Sequence, residues 1–254
     1  KRNERNLIGM PPENSLKQRI KNGEVVVALR IPIDTERSRL EDALAKDTFH
    51  LLYVDGHHSA FSEDQLVTLC ATAEDMGLPV QFRIPHTRQA HLVGRYLDLG
   101  LSALLVPEVV EQATVDEAVA YSYYPQVGLR SFGGSTRHGL KGWGGNVDPL
   151  AYAKWWNDYV VLAIQLESVE AISNARRLAR TGVDYVAFGP TDLRLSLAGH
   201  PNYPLQTVDA CMKNVAEQLR GTGIRLGMAV TTVPEERDKY LEMGITIFQQ
   251  SINR

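Results

Sequence analysis

Apolar residues occur along this chain in short runs at regular intervals, and a stretch with helical spacing lies in each interval. Eight runs are predicted as strands: residues 25–31, 49–54, 80–84, 101–106, 159–166, 183–188, 226–230 and 245–248. The runs are nearly continuous in apolar residues, which is typical of parallel strands covered on both faces. Eight alternating strand and helix units predict an α/β protein of the (β/α)8 class, the TIM barrel.

The helical stretches between the strands repeat apolar residues at helical spacing. They are residues 35–45, 62–76, 88–99, 110–121, 169–180, 208–220 and 234–243. A short helix is also predicted before the first strand, from Asn14 or Ser15 to Lys21, where Asn22 and Gly23 end it. Only residues 251–254 follow the last strand, so we expect that the eighth helix is missing or belongs to a longer parent chain.

The length and composition fit a single domain. The chain has 254 residues, 44% of them apolar, and one α/β barrel commonly has about this length. A charged lead-in, residues 1–12, is expected to be extended because it contains Met10-Pro11-Pro12. We find no linker and no change of composition, and therefore predict one barrel domain over residues 1–254.

Charge and cysteine content exclude several classes of function. The net charge of −3 provides no basic surface for nucleic acid and no polybasic membrane anchor. Cys70 and Cys211 show neither CxxC spacing nor clustering with histidine, which argues against structural zinc and for a reducing compartment. No apolar run approaches the roughly 20 residues of a membrane span. We therefore expect a cytoplasmic protein without nucleic-acid or membrane partners.

Two carboxylates follow two neighbouring predicted strands. Glu167 comes directly after the fifth strand, and Asp192 follows Gly189 and Pro190 after the sixth. A helical crossover makes these strands parallel, so both acids are expected at the same edge of the barrel. Two hard oxygen ligands suit Mg²⁺ or Mn²⁺. The alternative is two unrelated loop acids.

The second and third strands end in residues suited to acid–base and anion chemistry. Asp55 and His58 are three residues apart across a glycine, so the carboxylate can fold back onto the imidazole and make it a better base. Arg83 lies inside an apolar strand, where a guanidinium needs an anion, and a substrate oxygen could serve. For Asp55 and His58 the alternative is a capping aspartate beside two solvent-facing histidines, and we keep this interpretation for His57. For Arg83 the alternative is an arginine that points outward. His86 is interpreted as a helix cap.

Two further segments are expected near the site. Backbone N–H groups at Thr191 and Asp192, freed where the chain turns after the sixth strand, can hold a carboxylate or phosphate. Residues 128–148 are rich in glycine, and we expect an ordered loop over the mouth of the barrel, the alternative being a flexible surface excursion.

Six short strings of the sequence match the motifs of one enzyme family. They are Leu52-Tyr53-Val54-Asp55-Gly56-His57-His58, Phe82-Arg83-Ile84-Pro85, Ala103-Leu104-Leu105-Val106-Pro107, Gly128-Leu129-Arg130, Gln165-Leu166-Glu167-Ser168-Val169-Glu170-Ala171 and Phe188-Gly189-Pro190-Thr191-Asp192-Leu193. Each string is moderately specific, and they follow the family's order over nearly the whole chain. The sequence resembles the HpcH/HpaI family of metal-dependent class II pyruvate aldolases.

The resemblance implies a carbon–carbon lyase that cleaves or forms 4-hydroxy-2-keto acids through a pyruvate enolate. Its divalent cation, Mg²⁺, Mn²⁺ or another, would be bound by Glu167 and Asp192. Arg83 would steady the keto or enolate oxygen. His58, oriented by Asp55, would serve the proton transfer.

The resemblance also implies how the substrate and the subunits are held. Gln165 would contact the bound pyruvate, and the backbone at Thr191 and Asp192 would take its carboxylate. The partners would be a small keto acid and an aldehyde. The family is typically a hexamer with the eighth helix exchanged between subunits, which implies a homo-oligomer. One departure is His57, where the aldolases usually carry Glu.

Other functions stay open at this point. Loss of CO₂ from oxaloacetate gives the same enolate, so an oxaloacetate decarboxylase or macrophomate synthase-like enzyme is the first alternative. A CoA-thioester lyase is a second, although a basic groove is not obvious beyond Arg176, Arg177 and Arg180. A barrel that binds a keto acid without catalysis is a third.

Overall fold

The computed structural model describes residues 14–143 and 147–252, and its centre is a closed barrel of eight parallel strands. The strands are β1 (Val26–Arg30), β2 (Leu51–Asp55), β3 (Val80–Arg83), β4 (Ala103–Val106), β5 (Val161–Leu166), β6 (Tyr185–Phe188), β7 (Arg225–Thr231) and β8 (Ile245–Ser251). Each strand pairs with the next, and β8 pairs with β1. The predicted (β/α)8 barrel is confirmed, and the predicted lead-in, residues 1–12, lies outside the described residues.

Helices surround the barrel. They are α1 (Leu16–Asn22), α2 (Arg37–Leu44), α3 (Glu63–Asp75), α4 (Val93–Leu97), α5 (Gln112–Ser122), α6 (Pro149–Asn157), α7 (Val169–Ser173), α8 (Ala175–Leu178), α9 (Pro190–Ala198), α10 (Val208–Gln218) and α11 (Arg237–Leu241). Short 3-10 helices cover Thr87–Leu92, Leu140–Trp143 and Pro234–Glu236. Within the described residues no helix has the length and apolar content needed to cross a lipid bilayer.

The helix predictions were wrong in two respects. Residues 169–180 form two helices rather than one, because Asn174 separates α7 from α8 and its side-chain amide donates to the Glu170 carbonyl at 2.9 Å. Such local side-chain bonds compete with a continuous helix. The second error is an omission, since α6 and α9 were not predicted. Both begin with a proline at the first helical position, where its missing N–H costs nothing.

The barrel interior and the layer between barrel and helices form two separate apolar clusters. Side chains alternate between the two faces of each strand, so every second residue points inward. The inner cluster contains Val26, Ala28, Leu51, Tyr53, Ala103, Leu105, Val161, Ala163, Tyr185, Ala187, Ala229 and Ile247. Leu16 and Ile20 of α1 belong to it as well, so α1 covers the N-terminal end of the barrel and leaves the C-terminal end as the mouth.

The glycine-rich segment, residues 128–148, lies at the N-terminal end of the barrel. The prediction that it covers the mouth was wrong. The reason is that α5 first carries the chain from the end of β4 back to the opposite end. There the Thr136 hydroxyl donates to the Asp98 carbonyl beyond α4, and the Gly139 N–H donates to Glu74 in the last turn of α3. Residues 144–146 of the segment lie outside the described residues.

Candidate active site

Four inward-facing rows of side chains end in a polar residue at the mouth of the barrel. In β2 the row is Leu51, Tyr53 and Asp55, and the same alternation places Arg30, Arg83 and Gln165 at the ends of β1, β3 and β5. Asp55, Arg83 and Gln165 are all buried. Arg83 therefore faces the interior, which excludes the alternative of an outward arginine.

Asp55 and Arg83 form a two-pronged ion pair because they lie directly opposite each other in the β2–β3 register. Arg83 Nε donates to Asp55 Oδ1 at 2.8 Å, and Nη2 donates to Oδ2 at 2.5 Å. Arg30 Nη2 donates to the same Oδ2 at 2.9 Å. Arg83 Nη1 also donates to Gln165 Oε1 at 3.3 Å. Arg83 thus has a protein carboxylate as its partner, and two of its five N–H groups are left for a substrate oxygen.

The pairing fixes the charges of both residues. Burial opposes ionisation of Asp55, but the hydrogen bonds and charge of Arg83 hold its pKa below the usual range. Burial likewise opposes the charge of Arg83, but the hydrogen bond to Asp55 keeps the Arg83 pKa raised. Asp55 is therefore a permanent anion that organises the arginines. It is not a proton carrier at neutral pH.

Asp55 contacts the His58 backbone rather than its ring, so the predicted orientation of the imidazole by this carboxylate was wrong. Oδ1 accepts the N–H groups of His57 and His58 at 3.0 and 3.4 Å, which closes the turn after β2. The physical reason is that both Asp55 oxygens already accept hydrogen bonds from guanidinium groups. His58 is exposed at the mouth, and its pKa is lowered by partial desolvation and by the nearby charges of His57 and Arg83. His58 is consequently a neutral imidazole at pH 7, the form that accepts a proton.

His57 is not the solvent-facing residue that we expected, since only 10% of its side chain is exposed. Its Nδ1 lies 2.6 Å from the Pro85 carbonyl oxygen, which can only accept, so Nδ1 carries the proton. Its Nε2 lies 3.8 Å from Glu108 Oε1. His57 thus joins the loops that follow β2, β3 and β4. His86 caps the next 3-10 helix by accepting the Arg88 N–H, as predicted.

Glu167 lies at the mouth beside Gln165 and is 8% exposed. Gln165 Nε2 donates to its Oε2 at 2.5 Å, and the Glu108 N–H donates to its Oε1 at 3.2 Å. Gly189 makes this position possible, because a Cβ there would stand 2.1 Å from Oε2. A side chain at residue 189 would displace the carboxylate.

Asp192 lies in the first turn of α9, directly after β6, and is exposed at the same edge as Glu167. Its charge is close enough to act on both Glu167 and His58. Gly189, the residue before the helix, provides no side-chain cap, so the N–H groups of Thr191 and Asp192 have no side-chain acceptor there. These N–H groups and the positive end of the helix are suited to an anionic group.

The carboxylate pair fits a hard divalent cation. Burial, followed by the charge of Asp192, raises the pKa of Glu167 to about 7, and the nearby charge of Arg83 offsets only part of this rise. Within residues 14–143 and 147–252 no three His, Cys, Asp or Glu side chains converge to hold a metal ion. Glu167 and Asp192 could therefore bind a cation only with further oxygen ligands from substrate or water.

Most of the chain matches a single family model. The model is described as HpcH/HpaI aldolase/citrate lyase, and it matches residues 50–253. The chain belongs to the HpcH/HpaI family. This membership identifies it as a carbon–carbon lyase of the aldolase type and confirms the resemblance found in the sequence.

Individual HpcH/HpaI proteins resemble the chain over most of its length. The 4-hydroxy-2-oxo-heptane-1,7-dioate aldolase of Salmonella paratyphi C (strain RKS4594) is 30% identical over 236 residues, 91% of this chain and 86% of the relative. The crystal structure of an HpcH/HpaI aldolase from Desulfitobacterium hafniense DCB-2 is 26% identical, with a TM-score of 0.79 over 93% of this chain and 90% of that one. Macrophomate synthase has a TM-score of 0.75 at 20% identity over 97% and 85% of the two chains, a likeness of fold alone.

Two residues of this HpcH/HpaI site were not predicted from the sequence, Arg30 and Glu108. Arg30 had a detectable signal, because it ends the inward row Val26, Ala28 and Arg30 just as Arg83 ends that of β3. Glu108 had none, because its place in the site depends on its backbone N–H and not on its side chain.

Proposed function

We propose that the protein cleaves or forms 4-hydroxy-2-keto acids, with a divalent cation such as Mg²⁺ or Mn²⁺ at Glu167 and Asp192. The observation that supports this proposal is the presence of both acids at one edge of the barrel, beside an inward-facing Arg83. A cation bound there would withdraw electron density from the keto oxygen of the substrate.

The remaining residues have roles that follow from their free hydrogen-bonding groups. The two uncommitted N–H groups of Arg83 donate to the keto oxygen and stabilise the charge that develops on it. The Thr191 and Asp192 N–H groups receive the keto-acid carboxylate. Gln165 holds Arg83 and Glu167 in place and lies next to the pyruvate half.

Cleavage then consists of one bond rupture and two proton transfers. His58, neutral at pH 7, accepts the proton of the 4-hydroxyl group as the C3–C4 bond breaks and an aldehyde leaves. The electron pair of that bond remains on the pyruvate half as an enolate, whose negative oxygen faces Arg83. Protonation at C3 yields pyruvate, and the reverse sequence joins pyruvate to the aldehyde.

A cleft of about 480 Å³ beside Asp55 provides room for the aldehyde half. Arg30 lies in it, as do Ser59, Phe61 and Gln65 from the segment after β2. Asp55 lines the cleft and also contacts Arg83, so the cleft lies next to the residue proposed to hold the pyruvate half. A substrate longer than pyruvate would therefore extend toward Arg30.

A pyruvate-formation screen tests the proposal. Purified protein is incubated with Mg²⁺ and a series of 4-hydroxy-2-keto acids, and lactate dehydrogenase reports the pyruvate released. We expect pyruvate from at least one member and its loss after complete chelation. Full activity after chelation would contradict the cation mechanism, and a lack of pyruvate from every substrate would contradict the aldolase assignment.

Oxaloacetate is the second substrate to include, since loss of CO₂ from it produces the same enolate beside Arg83. Faster turnover of oxaloacetate than of any hydroxy acid would favour the decarboxylase alternative. A CoA-thioester lyase has less support. Its candidate basic residues lie at the far end of the barrel, where Arg180 pairs with Asp116 and Arg176 donates to the Gln218 carbonyl.

We also propose a homo-oligomer in the cytoplasm, with a hexamer as the expected state. Exposed apolar side chains at the N-terminal end support self-association, since Leu129 is 70% exposed and Leu150 is 80% exposed. The two cysteines are buried and unpaired, as is usual in a reducing compartment. Light scattering after gel filtration tests the assembly, and a monomeric mass would contradict it.

A further inference from the structure

Glu108 has a left-handed backbone, which is unusual for a residue with a long side chain. Its φ is +50°, and within the described residues Gln126 is the one other non-glycine residue with a positive φ. L-residues rarely adopt this conformation because Cβ approaches the following carbonyl, whereas Gly and Asn accept it more readily. Glu108 directly follows Pro107 at the end of β4, next to the proposed cation site.

The left-handed turn directs two consecutive N–H groups toward the end of β5. The Glu108 N–H donates to Glu167 Oε1 at 3.2 Å, and the Val109 N–H donates to the Gln165 carbonyl at 3.1 Å. In a regular extended strand successive N–H groups point to opposite sides, so such a strand could supply β5 with one of these two bonds. The conformation of residue 108 is thus what brings a donor to Glu167.

We propose that Glu108 is a positioning residue whose left-handed backbone holds the Glu167 carboxylate in the orientation that binds the cation. With Gln165 on Oε2 and the residue-108 N–H on Oε1, each oxygen of Glu167 is held by one donor. The proposal rests on the proposed function in taking Glu167 as a cation ligand. It assigns no contact between Glu108 and the substrate.

The Glu108 side chain can be replaced without opening a cavity, because 47% of it is exposed. Its carboxylate has two charged neighbours among the described residues: His57, whose Nε2 lies 3.8 Å from Glu108 Oε1, and Glu167, on which the Glu108 charge acts. Substitutions at residue 108 can therefore vary the backbone preference while the surrounding packing stays the same. All uncharged replacements remove the same carboxylate, so their differences report the backbone alone.

Four variants separate backbone from side chain: Glu108→Gly and Glu108→Asn, which accept a positive φ, and Glu108→Ala and Glu108→Val, which do not. The probe is Mn²⁺ alone, titrated into metal-free protein and followed by electron paramagnetic resonance. We expect the Gly and Asn variants to have dissociation constants within about twofold of each other, and the Val variant to bind about tenfold more weakly, with Ala between. Thermal melting of each variant verifies that it is folded.

The outcomes distinguish this inference from the proposed function. Equal Mn²⁺ affinity in all four folded variants, or tighter binding by Val than by Gly, would overturn the positioning role. Wild-type protein that binds no Mn²⁺ would instead overturn the cation site. If Val does not fold, the Gly and Ala pair decides, and weaker binding by Ala is the result that supports the proposal.

Discussion

Two buried acids at opposite ends of the barrel, Asp184 and Glu167, have different partners. At the N-terminal end Asp184 lies 2.9 Å from Lys17 Nζ and accepts the Leu162 N–H at 2.9 Å. Lys17 also donates to the Val160 carbonyl and the Tyr123 hydroxyl. At the mouth, Glu167 accepts from an amide side chain and a backbone N–H, and within the described residues it forms no ion pair.

The difference separates a structural charge from a functional one. Where the chain provides both partners, as with Lys17 and Asp184, the pair joins α1 to the barrel. Where the chain provides acid in excess, as with Glu167 and Asp192, the charge of Arg83 compensates burial and charge repulsion only in part until a ligand binds. Removing a charge should therefore reduce activity at the mouth and stability at the opposite end.

The largest effect is expected for Glu167→Gln. The amide keeps the shape of the side chain but removes a cation ligand and its charge. We expect kcat/KM for pyruvate release to fall by at least about 1000-fold, corresponding to about 4 kcal/mol. Steady-state kinetics at saturating Mg²⁺ measure the change. A loss of less than tenfold would show that Glu167 is not a ligand.

Arg83→Ala should cost about 3 kcal/mol of transition-state stabilisation, roughly 100-fold in kcat, because it removes preorganised donors. Arg83→Lys is the matched variant, and it should recover little because a lysine cannot reproduce the two-pronged contact with Asp55. Both variants should also melt at lower temperature, since a buried partner is lost. Wild-type turnover by Arg83→Ala would refute the role.

His58→Gln should lower kcat by about 100-fold, the usual contribution of a general base. At saturating Mg²⁺, which keeps Glu167 ionised, the lowered His58 pKa should place the acid limb of the wild-type pH profile below the usual imidazole value, and the limb should disappear in the variant. His86→Gln, at an exposed helix cap, is the control and should keep the limb. Retention of the limb in His58→Gln would assign the proton transfer to another group.

Stability at the mouth should depend on pH through Glu167. Folding raises its pKa from 4.5 to about 7, so the charged form is penalised in the folded state. The penalty is absent below pH 4.5, grows between 4.5 and 7, and is complete above 7, where it reaches at most about 3 kcal/mol.

Urea unfolding of metal-free wild type and Glu167→Gln at pH 5 and pH 8 measures this penalty. The variant should gain stability relative to wild type as pH rises. Added Mn²⁺ should reduce the difference at pH 8 by stabilising the wild type. A difference that does not change with pH would mean that Glu167 ionises without cost.

The smallest effect is expected at the opposite end. Lys17→Met should lower the free energy of unfolding by about 2 kcal/mol, because Asp184 loses its cation in a largely buried place. Activity below the melting temperature should stay within about twofold of wild type. Urea unfolding and kinetics on the same preparation test this. A loss of activity comparable to that of Arg83→Ala would contradict the claim that the charges at the N-terminal end serve stability and those at the mouth serve activity.

The sequence was sufficient to place Glu167, Asp192 and Arg83 at the mouth, because strand ends and parallel crossovers determine which edge a residue reaches. It was not sufficient to identify the partner of Asp55. That partner depends on the β2–β3 register, which sets Asp55 opposite Arg83 and leaves the His58 ring without this carboxylate. Register is a property of two strands together and cannot be read from either one.

The error on the glycine-rich segment has a different origin. Its place followed from the predicted helix 110–121, which returns the chain to the N-terminal end, but we judged the segment by its composition and by the strand before that helix. The backbone conformation of Glu108 could not be predicted from the sequence. A positive φ at a glutamate has no sequence signal, since it arises from the hydrogen bonds at the end of β5.

The central claim is that a cation at Glu167 and Asp192 allows pyruvate to form an enolate beside Arg83. Proton NMR of pyruvate in D₂O tests it directly, since enolate formation replaces the methyl protons with deuterium. We predict exchange by the Mg²⁺-loaded wild type and by Lys17→Met, and none by Glu167→Gln or after chelation. Exchange at the full rate in the chelated enzyme, or no exchange with Mg²⁺ present, would contradict the account.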